Sequence, residues 1–421
     1  MIQKTLPKPA NRSSLITALD VGTTKIACFI ARPLENGAAE VVGVGHQVSK
    51  GIKNGNIVDM EAVEGSIRTA VEAAEHMAGE NVSDVVLCTS GSLPESKLIS
   101  FDVAIPGNEI SDLDLKRALD PTWLYSQQDD DRQIIHALPV AYSIDDNPSV
   151  TDPLGMYGEK LGVNMHVITA CAGALRNITT CVNRCHLDVE LLVVGPYAAG
   201  LSCLVEDEKE LGAICIDMGG GTTDISVFFD GEVVYTDSVP LGGSHVTNDI
   251  ARGLSTPVAY AERMKTLYGS AAPSPSDDQE VIKVPLVGEE DDGENQISRS
   301  MLVDIIRPRI EEIYELVRGK LEPTGFEKAG VRRVVLTGGA SQLTGARELA
   351  GEVMNKQVRL GQPNYIKGLA ESVNGPAFAV SAGLIQAVMK ERKGHLVTSS
   401  LYNTIPSSKL SRIRKWIGEN I

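Results

Sequence analysis

Two stretches of the sequence combine aspartate, glycine and threonine in a pattern that suits phosphate binding. Residues 16–31 read ITALDVGTTKIACFIA and residues 214–231 read ICIDMGGGTTDISVFFDG, so each joins two apolar strands through Asp, Gly and Thr-Thr. Glycine lets a backbone approach a ligand closely, and the following N–H groups and hydroxyls can donate to phosphate oxygens. A plain tight hairpin is the alternative. The repetition within one chain favours two facing loops that hold a triphosphate.

Further residues extend this predicted nucleotide site. A carboxylate beside bound phosphates usually holds Mg²⁺, often through water, and we expect Asp20 and Asp217 to do so. A third glycine turn, VVLTGGAS at 334–341, follows an apolar strand and opens a helix, which is a common place for a nucleotide. The predicted loop contacts are Asp20, Gly22, Thr23, Thr24, Lys25, Asp217, Gly219, Gly220, Gly221, Thr222, Thr223, Asp224, Gly242, Gly243, Gly338, Gly339 and Ala340.

Composition limits the possible classes of protein. The 421 residues, 43% hydrophobic and 22% charged, can form two or more soluble domains, and the net charge of -16 argues against nucleic-acid binding. Seven cysteines, mostly in apolar stretches, predict reduced thiols and a cytosolic protein. Cys181, Cys185 and His186 lack a second ligand pair nearby, so zinc is not expected. A polar N-terminus and the lack of a long apolar run predict a chain that is neither secreted nor membrane-spanning.

The elements that must position these loops follow from the apolar periods. We predict strands at 15–31, 39–48 and 84–90, a helix from Asp59 to His76, and strand-helix-strand-helix order over 166–201. The block at 92–164, with a helix near Leu113 to Ala118, interrupts this plan as an inserted subdomain. The second half repeats it, with helices from about 244 and over 300–320. Residues 270–296 are rich in Pro, Ser and acidic residues and are interpreted as a mobile surface excursion.

The three glycine loops, in this order, resemble those of the actin, sugar-kinase and heat-shock-chaperone superfamily. The likeness covers about residues 15–390 and implies an α/β actin-like ATPase fold of two duplicated ribonuclease-H-like domains, with ATP and Mg²⁺ between them. It also assigns Glu262 and Lys265 to the ribose and adenine side of the nucleotide. An exposed charged helix face is the alternative for these two residues.

The position of the insertion selects a branch of this superfamily. Actin and the chaperones insert a subdomain between the third strand and the first helix, where this sequence has only SKGIKNGNIV. The insertion at 92–164 instead follows the first helix, and its segments IIHALPVAYSIDD and DPLGMYGEKLGVNMHVIT resemble the FtsA family of bacterial cell-division proteins. Pilus-assembly actin homologues are the alternative. A small-molecule kinase would need a carboxylate base at a sugar pocket, for which we find no compelling candidate.

The FtsA resemblance implies a domain plan and a function. The first half is predicted at 14–91 plus 165–203, with part of the C-terminal helices, and the second half at 204–248 plus 328–390 with its subdomain at 249–327. The protein is expected to polymerise, to anchor FtsZ filaments to the inner face of the cytoplasmic membrane at the division septum, and to bind other division proteins through the insertion. Relatives place an acidic or amide side chain near the GPYAAG turn to orient water. Gly195, Tyr197, Ala198 and Ala199 offer none, so we expect tight ATP binding with slow hydrolysis at best.

A long helix in the second half carries candidate partner contacts. The stretch RSMLVDIIRPRIEEIYELV contains Arg299, Arg307 and Arg309, which could meet the acidic, apolar C-terminal peptide of FtsZ that the resemblance implies. Matching the family's peptide-contacting arginine singles out Arg309. The alternative is ordinary pairing along the helix, such as Arg307 with Glu311, worth a few tenths of a kcal/mol.

The end of the chain reads as a basic amphipathic helix. After a polar linker at 391–406, residues 407–421 read SSKLSRIRKWIGENI, with Leu410, Ile413, Ile417 and Ile421 on one stripe and Trp416 at its edge. The basic residues beside and opposite the stripe are Lys409, Arg412, Arg414 and Lys415. In an acidic protein this helix favours binding to anionic lipid over docking on the protein's own core. One helix binds modestly, and polymerisation would multiply the contacts.

We predict that Trp416→Glu releases the protein from anionic vesicles without changing ATP affinity. The substitution removes apolar burial worth about 1.5 to 3 kcal/mol and places a negative charge beside anionic lipid. Co-sedimentation below the polymerisation threshold, at low and high salt, measures the effect for single molecules. A variant that still pellets like the parent protein would show that this tail does not attach the chain to lipid.

Overall fold

A computed structural model describes residues 15–35, 38–89, 91–107, 109–120, 131–288, 295–326 and 328–392 of the chain. The predicted linker beyond residue 392 and the predicted amphipathic helix at 407–421 lie outside the described residues, as do its lipid-facing candidates. In the described part, no helix is both long and apolar enough to span a membrane.

The described chain alternates strands and helices. The strands are β1 (Ile16–Val21), β2 (Lys25–Pro33), β3 (Ala39–Val48), β4 (Ile52–Lys53), β5 (Asn56–Ile57), β6 (Asp84–Cys88), β7 (Glu95–Ala104), β8 (Arg132–Ile144), β9 (Asn147–Val150), β10 (Lys160–Cys171), β11 (Asp188–Val193), β12 (Ala213–Met218), β13 (Thr223–Phe229), β14 (Glu232–Val239), β15 (Val281–Lys283), β16 (Gln296–Ser298), β17 (Arg333–Thr337), β18 (Gln357–Leu360) and β19 (Ile366–Lys367). The helices are α1 (Met60–Ala78), α2 (Asp112–Ala118), α3 (Ala172–Arg184), α4 (Gly195–Cys203), α5 (Glu206–Leu211), α6 (Gly243–Gly253), α7 (Val258–Tyr268), α8 (Arg299–Leu321), α9 (Ala346–Met354) and α10 (Ala379–Arg392).

The first half is built on a six-stranded sheet in the order β11-β6-β1-β2-β3-β19. β1 and β2 form an antiparallel hairpin whose last pair before the turn is Val21 and Ile26, and β6 runs parallel to β1. Helix α1 packs on β2 and β3 and begins at Asp59, whose carboxylate accepts a hydrogen bond from the Ala62 amide at 3.1 Å. The helix predicted from Asp59 is therefore confirmed.

The second half repeats this plan with a five-stranded sheet in the order β14-β13-β12-β17-β18. β12 and β13 form an antiparallel hairpin, and β17 runs parallel to β12. The hairpin and its parallel neighbour thus occupy the same places as β1, β2 and β6 in the first sheet. The predicted duplication of an α/β half is confirmed.

An inserted sheet in the order β7-β10-β8-β9 has a hydrophobic core of its own, around Ile134, Leu161 and Met165. Its central strand β10 continues to Cys171, so the sheet runs past residue 164, where the predicted insertion ends. β10 pairs with β8 from Leu161 to Cys171, with register shifts after Asn164 and after Ile168, and leads directly into α3.

Two helices lie between the large sheets and join the halves. Every residue of α4 is buried, and α10 crosses it so closely that a Cβ at Gly383 would lie 2.8 Å from the Ala198 Cα. β19 pairs with β3 in the first sheet, and α10 packs in the first core. These two elements therefore belong spatially to the first half. The prediction assigns part of the C-terminal helices to that half, but its range 328–390 places β19 in the second.

Most described residues of the predicted surface excursion at 270–296 are exposed, but the segment also packs into the second half. Ala271, Ile282 and Val284 are buried in the core of the second half, and β15 pairs antiparallel with β16. Asp277 is also buried and forms an ion pair with Arg299 at 3.0 Å. The average composition of the segment is polar, so it did not reveal the short apolar strand β15, which burial stabilises.

Candidate functional site: an interlobe nucleotide cavity

A cavity of about 440 Å³ lies between the two halves and is lined by both. All three predicted glycine loops reach it. Of the predicted nucleotide contacts, only Thr223 and Gly242 are not among its lining residues. Thr223 is fully buried and donates to the Leu241 carbonyl at 2.9 Å, so its hydroxyl supports the fold. The Gly242 amide donates to the His245 ring at 3.1 Å.

The two Asp-Gly-Thr turns have the same construction and face each other. The Gly22 amide donates to the Lys25 carbonyl at 2.9 Å, and the Gly219 amide donates to the Thr222 carbonyl at 2.9 Å. A Cβ at Gly220 would lie 2.9 Å from the hydroxyl of Thr24 on the opposite turn. Only glycine allows this approach, which explains the three-glycine run that opens the second turn.

The second turn is also attached to the start of α6. The Gly243 amide donates to the Gly219 carbonyl at 2.9 Å, and the Ser244 amide donates to the Gly220 carbonyl at 2.8 Å. The positive end of this 11-residue helix is therefore directed at the turn. Ser244 lines the cavity. The sequence pattern did not predict this residue as part of the site, because it lies one position beyond the recognised glycines.

Glu262 and Lys265 both line the cavity on α7. The Lys265 ammonium donates to Glu262 at 2.7 Å, to the Thr247 hydroxyl at 2.8 Å and to the Gly243 carbonyl at 3.1 Å. These bonds tie α7 to the first turn of α6. The two residues are thus part of the cavity wall rather than a charged face directed only at solvent.

Three carboxyl groups are buried around the cavity with Lys25 among them. Burial, with the neighbouring carboxylates, raises the pKa of Asp217 to about 8. Burial raises the pKa of Asp224 to about 6, although two hydroxyl groups donate to it, and also raises the pKa of Asp20. Burial lowers the pKa of Lys25 to about 8 against the attraction of Asp20 and Asp217.

Lys25 contacts the segment that leads into α10. Its ammonium donates to the Ala377 carbonyl and lies 3.3 Å from the centre of the Phe378 ring, a cation–π contact. The Ser381 hydroxyl of α10 donates to Asp20 at 3.4 Å. The start of α10 is therefore part of the phosphate side of the site, which the loop motifs did not indicate.

The donor set fits a polyphosphate and a cation held through water. The facing glycine turns leave a cradle that side chains would fill. The carboxyl groups of Asp20 and Asp217 are buried beside it, and a bound divalent cation would favour their charged form. Within the described residues, no group of three His, Cys, Asp or Glu side chains is arranged to ligate a metal directly. Phosphate oxygens and water would have to complete the shell of a magnesium ion here.

The GPYAAG stretch, predicted as a turn, forms the first six residues of helix α4; it lies in the core and does not line the cavity. Tyr197 stacks on Phe228 with 6.3 Å between ring centres, and Gly195, Ala198 and Ala199 are buried. Catalytic residues remain unassigned, as the sequence left them.

The three candidate arginines of α8 face different neighbours. Arg299 pairs with Asp277, while Arg307 pairs with Glu352 at 3.1 Å rather than with Glu311. Arg309 binds both carboxylate oxygens of Asp249 on α6, at 2.5 and 3.2 Å, and also contacts Glu312. The structure does not bring the three into one basic patch.

Gly55 and Gly91 line the cavity beside the two turns, and neither was predicted. A Cβ at Gly221 would lie 2.8 Å from the Gly55 amide nitrogen, and the Gly55 amide donates to the Thr23 hydroxyl at 3.0 Å. Asn-Gly at 54–55 was a visible turn signal in the sequence, but nothing local to it indicates a contact with the opposite half.

Two halves of the same topology, closed by paired glycine turns over buried carboxylates, define an actin-like nucleotide-binding fold. The fold is shared with a chain of the PilM-PilN type IV pilus biogenesis complex, with a TM-score of 0.62 at 17% identity, covering 89% of this chain and 98% of that one. MreB5 of Spiroplasma citri bound to ADP gives a TM-score of 0.55 at 14% identity, covering 90% and 99%.

The chain belongs to the FtsA family of cell division proteins. The family model for cell division protein FtsA matches residues 214–383, and that for the SHS2 domain inserted in FtsA matches 91–169. The FtsA of Rhizobium meliloti is 43% identical, with 98% of this chain and 96% of the relative covered. Those of Pseudomonas aeruginosa and Escherichia coli are 36% and 31% identical, covering 96% and 97% of this chain and 98% of each relative. The predicted role in cell division is confirmed.

We predict that Gly220→Val lowers ATP affinity at least tenfold, about 1.4 kcal/mol, while the protein stays folded. The new side chain must displace Thr24 and push the two phosphate turns apart. Gly107→Val is the matched control, because Gly107 is exposed and a Cβ there meets no atom within 4 Å. Calorimetric titration with Mg·ATP measures both variants. Parent-like affinity in a folded Gly220→Val protein would show that the turn does not hold phosphate.

Proposed function

We propose that this chain is an ATP-binding, polymerising adaptor that anchors FtsZ filaments to the inner face of the cytoplasmic membrane at the division site. The observation that carries the proposal is the interlobe cavity, in which two facing glycine turns and buried carboxylates meet. Family membership supplies the division context. Solved MreB5 structures of the same fold hold ADP or AMPPNP, which supports a nucleotide in this cavity.

The nucleotide is placed by the chain's own residues. The turns at Gly22–Lys25 and Gly219–Thr222 donate to phosphate oxygens, while Asp20 and Asp217 hold Mg²⁺ through water. When bound, Mg²⁺ neutralises phosphate charge beside these carboxylates. Glu262, Lys265 and the turn at Gly338–Ala340 form the adenosine side. Because the GPYAAG stretch is buried and offers no acid or amide, hydrolysis is slow or negligible.

The proposed attachment to lipid depends on the tail at 407–421 and on polymerisation. A basic amphipathic helix attaches each copy weakly, and a filament adds these contacts together. The inserted sheet is proposed to bind other division proteins. Around this sheet the inserted subdomain carries exposed apolar side chains of the kind that binding surfaces use: Leu113 on α2, and Met156 and Tyr157 between β9 and β10. The protein would thus be peripheral on the cytoplasmic side.

A sedimentation assay tests the adaptor function as a whole. The parent chain is mixed with anionic or neutral vesicles, with and without Mg·ATP, and filaments are sought by electron microscopy. We expect filaments on anionic vesicles that depend on ATP, and none for a chain ending at residue 392. Pelleting that depends neither on the nucleotide nor on the charge of the lipid would contradict the proposal.

We predict that Arg309→Glu weakens binding of the FtsZ C-terminal peptide at least tenfold. The substitution reverses the charge beside Asp249 and Glu312, so an acidic peptide would meet three carboxylates where the parent protein has two carboxylates paired with a guanidinium. Arg307→Glu is the control, because Arg307 lies on the same helix but has different partners, Glu352 on α9 and the Ala271 carbonyl. Fluorescence anisotropy with a labelled peptide measures both. Equal affinities for the two variants would place the peptide elsewhere.

A further inference from the structure

The hairpin of β4 and β5 ends in a tip, Asn54 and Gly55, that touches both halves of the molecule. Asn54 and Gly55 have φ angles of 48° and 77°, the left-handed pair expected for a two-residue Asn-Gly turn. The tip belongs to the first half, yet a Cβ at Gly221 of the second half would lie 2.9 Å from the Asn54 Cα. It therefore forms part of the contact that closes the cavity.

The contact at the tip is made mainly by backbone atoms. Gly55 lies against Gly91, where a Cβ on either residue would come within 2.6 Å of the other's Cα. The Gly55 amide also donates to the Thr23 hydroxyl at 3.0 Å. Three glycines from three separate parts of the sequence, Gly55, Gly91 and Gly221, thus interlock beside the first phosphate turn. Backbone packed this tightly cannot accept a side chain without moving.

The tip lies at the end of the cavity away from the adenosine side. Along the second phosphate turn, Gly221 meets the tip and Gly220 meets Thr24, whereas Gly219 accepts from the Gly243 amide. A Cβ at Gly243 would in turn contact Ala340 at 3.1 Å and the Lys265 ammonium at 3.7 Å. The order of contacts places the tip where the last phosphate of a bound nucleotide would lie.

The base of the hairpin is fixed to the first half. The Val58 and Asp59 amides both donate to the Gly51 carbonyl, at 2.8 and 3.1 Å, and Asp59 caps α1. A displacement of the tip is therefore resisted by α1. A ligand bound at the Gly221 end of the second phosphate turn would be stabilised by the tip that α1 holds in place. A ligand bound at the Gly219 end would gain nothing from this tip.

We propose that the Asn54–Gly55 tip is a specificity element that makes the cavity favour ATP over ADP. It positions the Gly221 end of the second phosphate turn, so the energy gained from a third phosphate depends on the contact of Gly55 with Gly91 and Gly221. This inference rests on the proposed ATP-binding function.

The test compares Gly55→Ala with Gly79→Ala by calorimetric titration with Mg·ATP and Mg·ADP. Both glycines have positive φ, 77° and 71°, so both variants carry similar backbone strain, but a Cβ at Gly79 meets no atom within 4 Å. We expect Gly55→Ala to lose at least tenfold in ATP affinity and less than threefold in ADP affinity. Gly91→Ala, which enters the same contact from the other side, should do likewise, and Gly79→Ala should match the parent.

Equal losses for ATP and ADP, or no loss for either, would overturn the inference. A parent chain that binds neither nucleotide would instead overturn the proposed function, so the two failures are distinguishable. If Gly55→Ala fails to fold, amide hydrogen exchange on the parent protein tests the inference instead. AMPPNP should protect residues 53–57 and 219–222 more than ADP does, and equal protection by the two nucleotides would overturn the inference.

Discussion

The burial of Asp20, Asp217 and Asp224 around one cavity is the constraint on which the rest of the site depends. A carboxylate out of water is unfavourable unless charge or donors compensate it, and burial raises the pKa of all three groups. Lys25 supplies one positive charge, and its own pKa is lowered to about 8. A divalent cation brought in with a polyphosphate would favour the charged form of these carboxyl groups. Electrostatics and glycine turns therefore favour the same class of ligand.

The two halves that bring these groups together are joined by α4 and α10. The approach of Gly383 to Ala198 leaves no space for a side chain, so the helices cannot easily slide across each other. The width of the cavity can change more readily by rotation of the two halves about this helix pair than by sliding of one helix across the other. The contact of Gly220 with the Thr24 side chain and the contacts at the β4–β5 tip lie where the halves meet again, so a change in the width of the cavity would alter them.

Local patterns in the sequence predicted much of the fold and of the candidate site. The paired hairpins, the Asp59 helix and the duplicated order of strands follow from apolar period and turn chemistry, which act over a few residues. Gly55 and Gly91 could not be found in that way, because their role depends on a contact between distant segments. The segment at 270–288 was predicted only in part for a related reason: its average composition is polar, whereas a few buried residues, among them Ala271, Ile282 and Val284, determine that it packs.

Helix α10 connects the cavity to the point where the chain leaves the described fold. Near its start, Ser381 donates to Asp20, and near its end Lys390 binds both oxygens of Glu232 on β14, at 3.0 and 2.8 Å. Fourteen helical residues span about 21 Å, and a helix packed this closely moves as a unit. A shift at the phosphate side of the site must therefore either strain the Lys390–Glu232 pair or move the last turn of α10 with it.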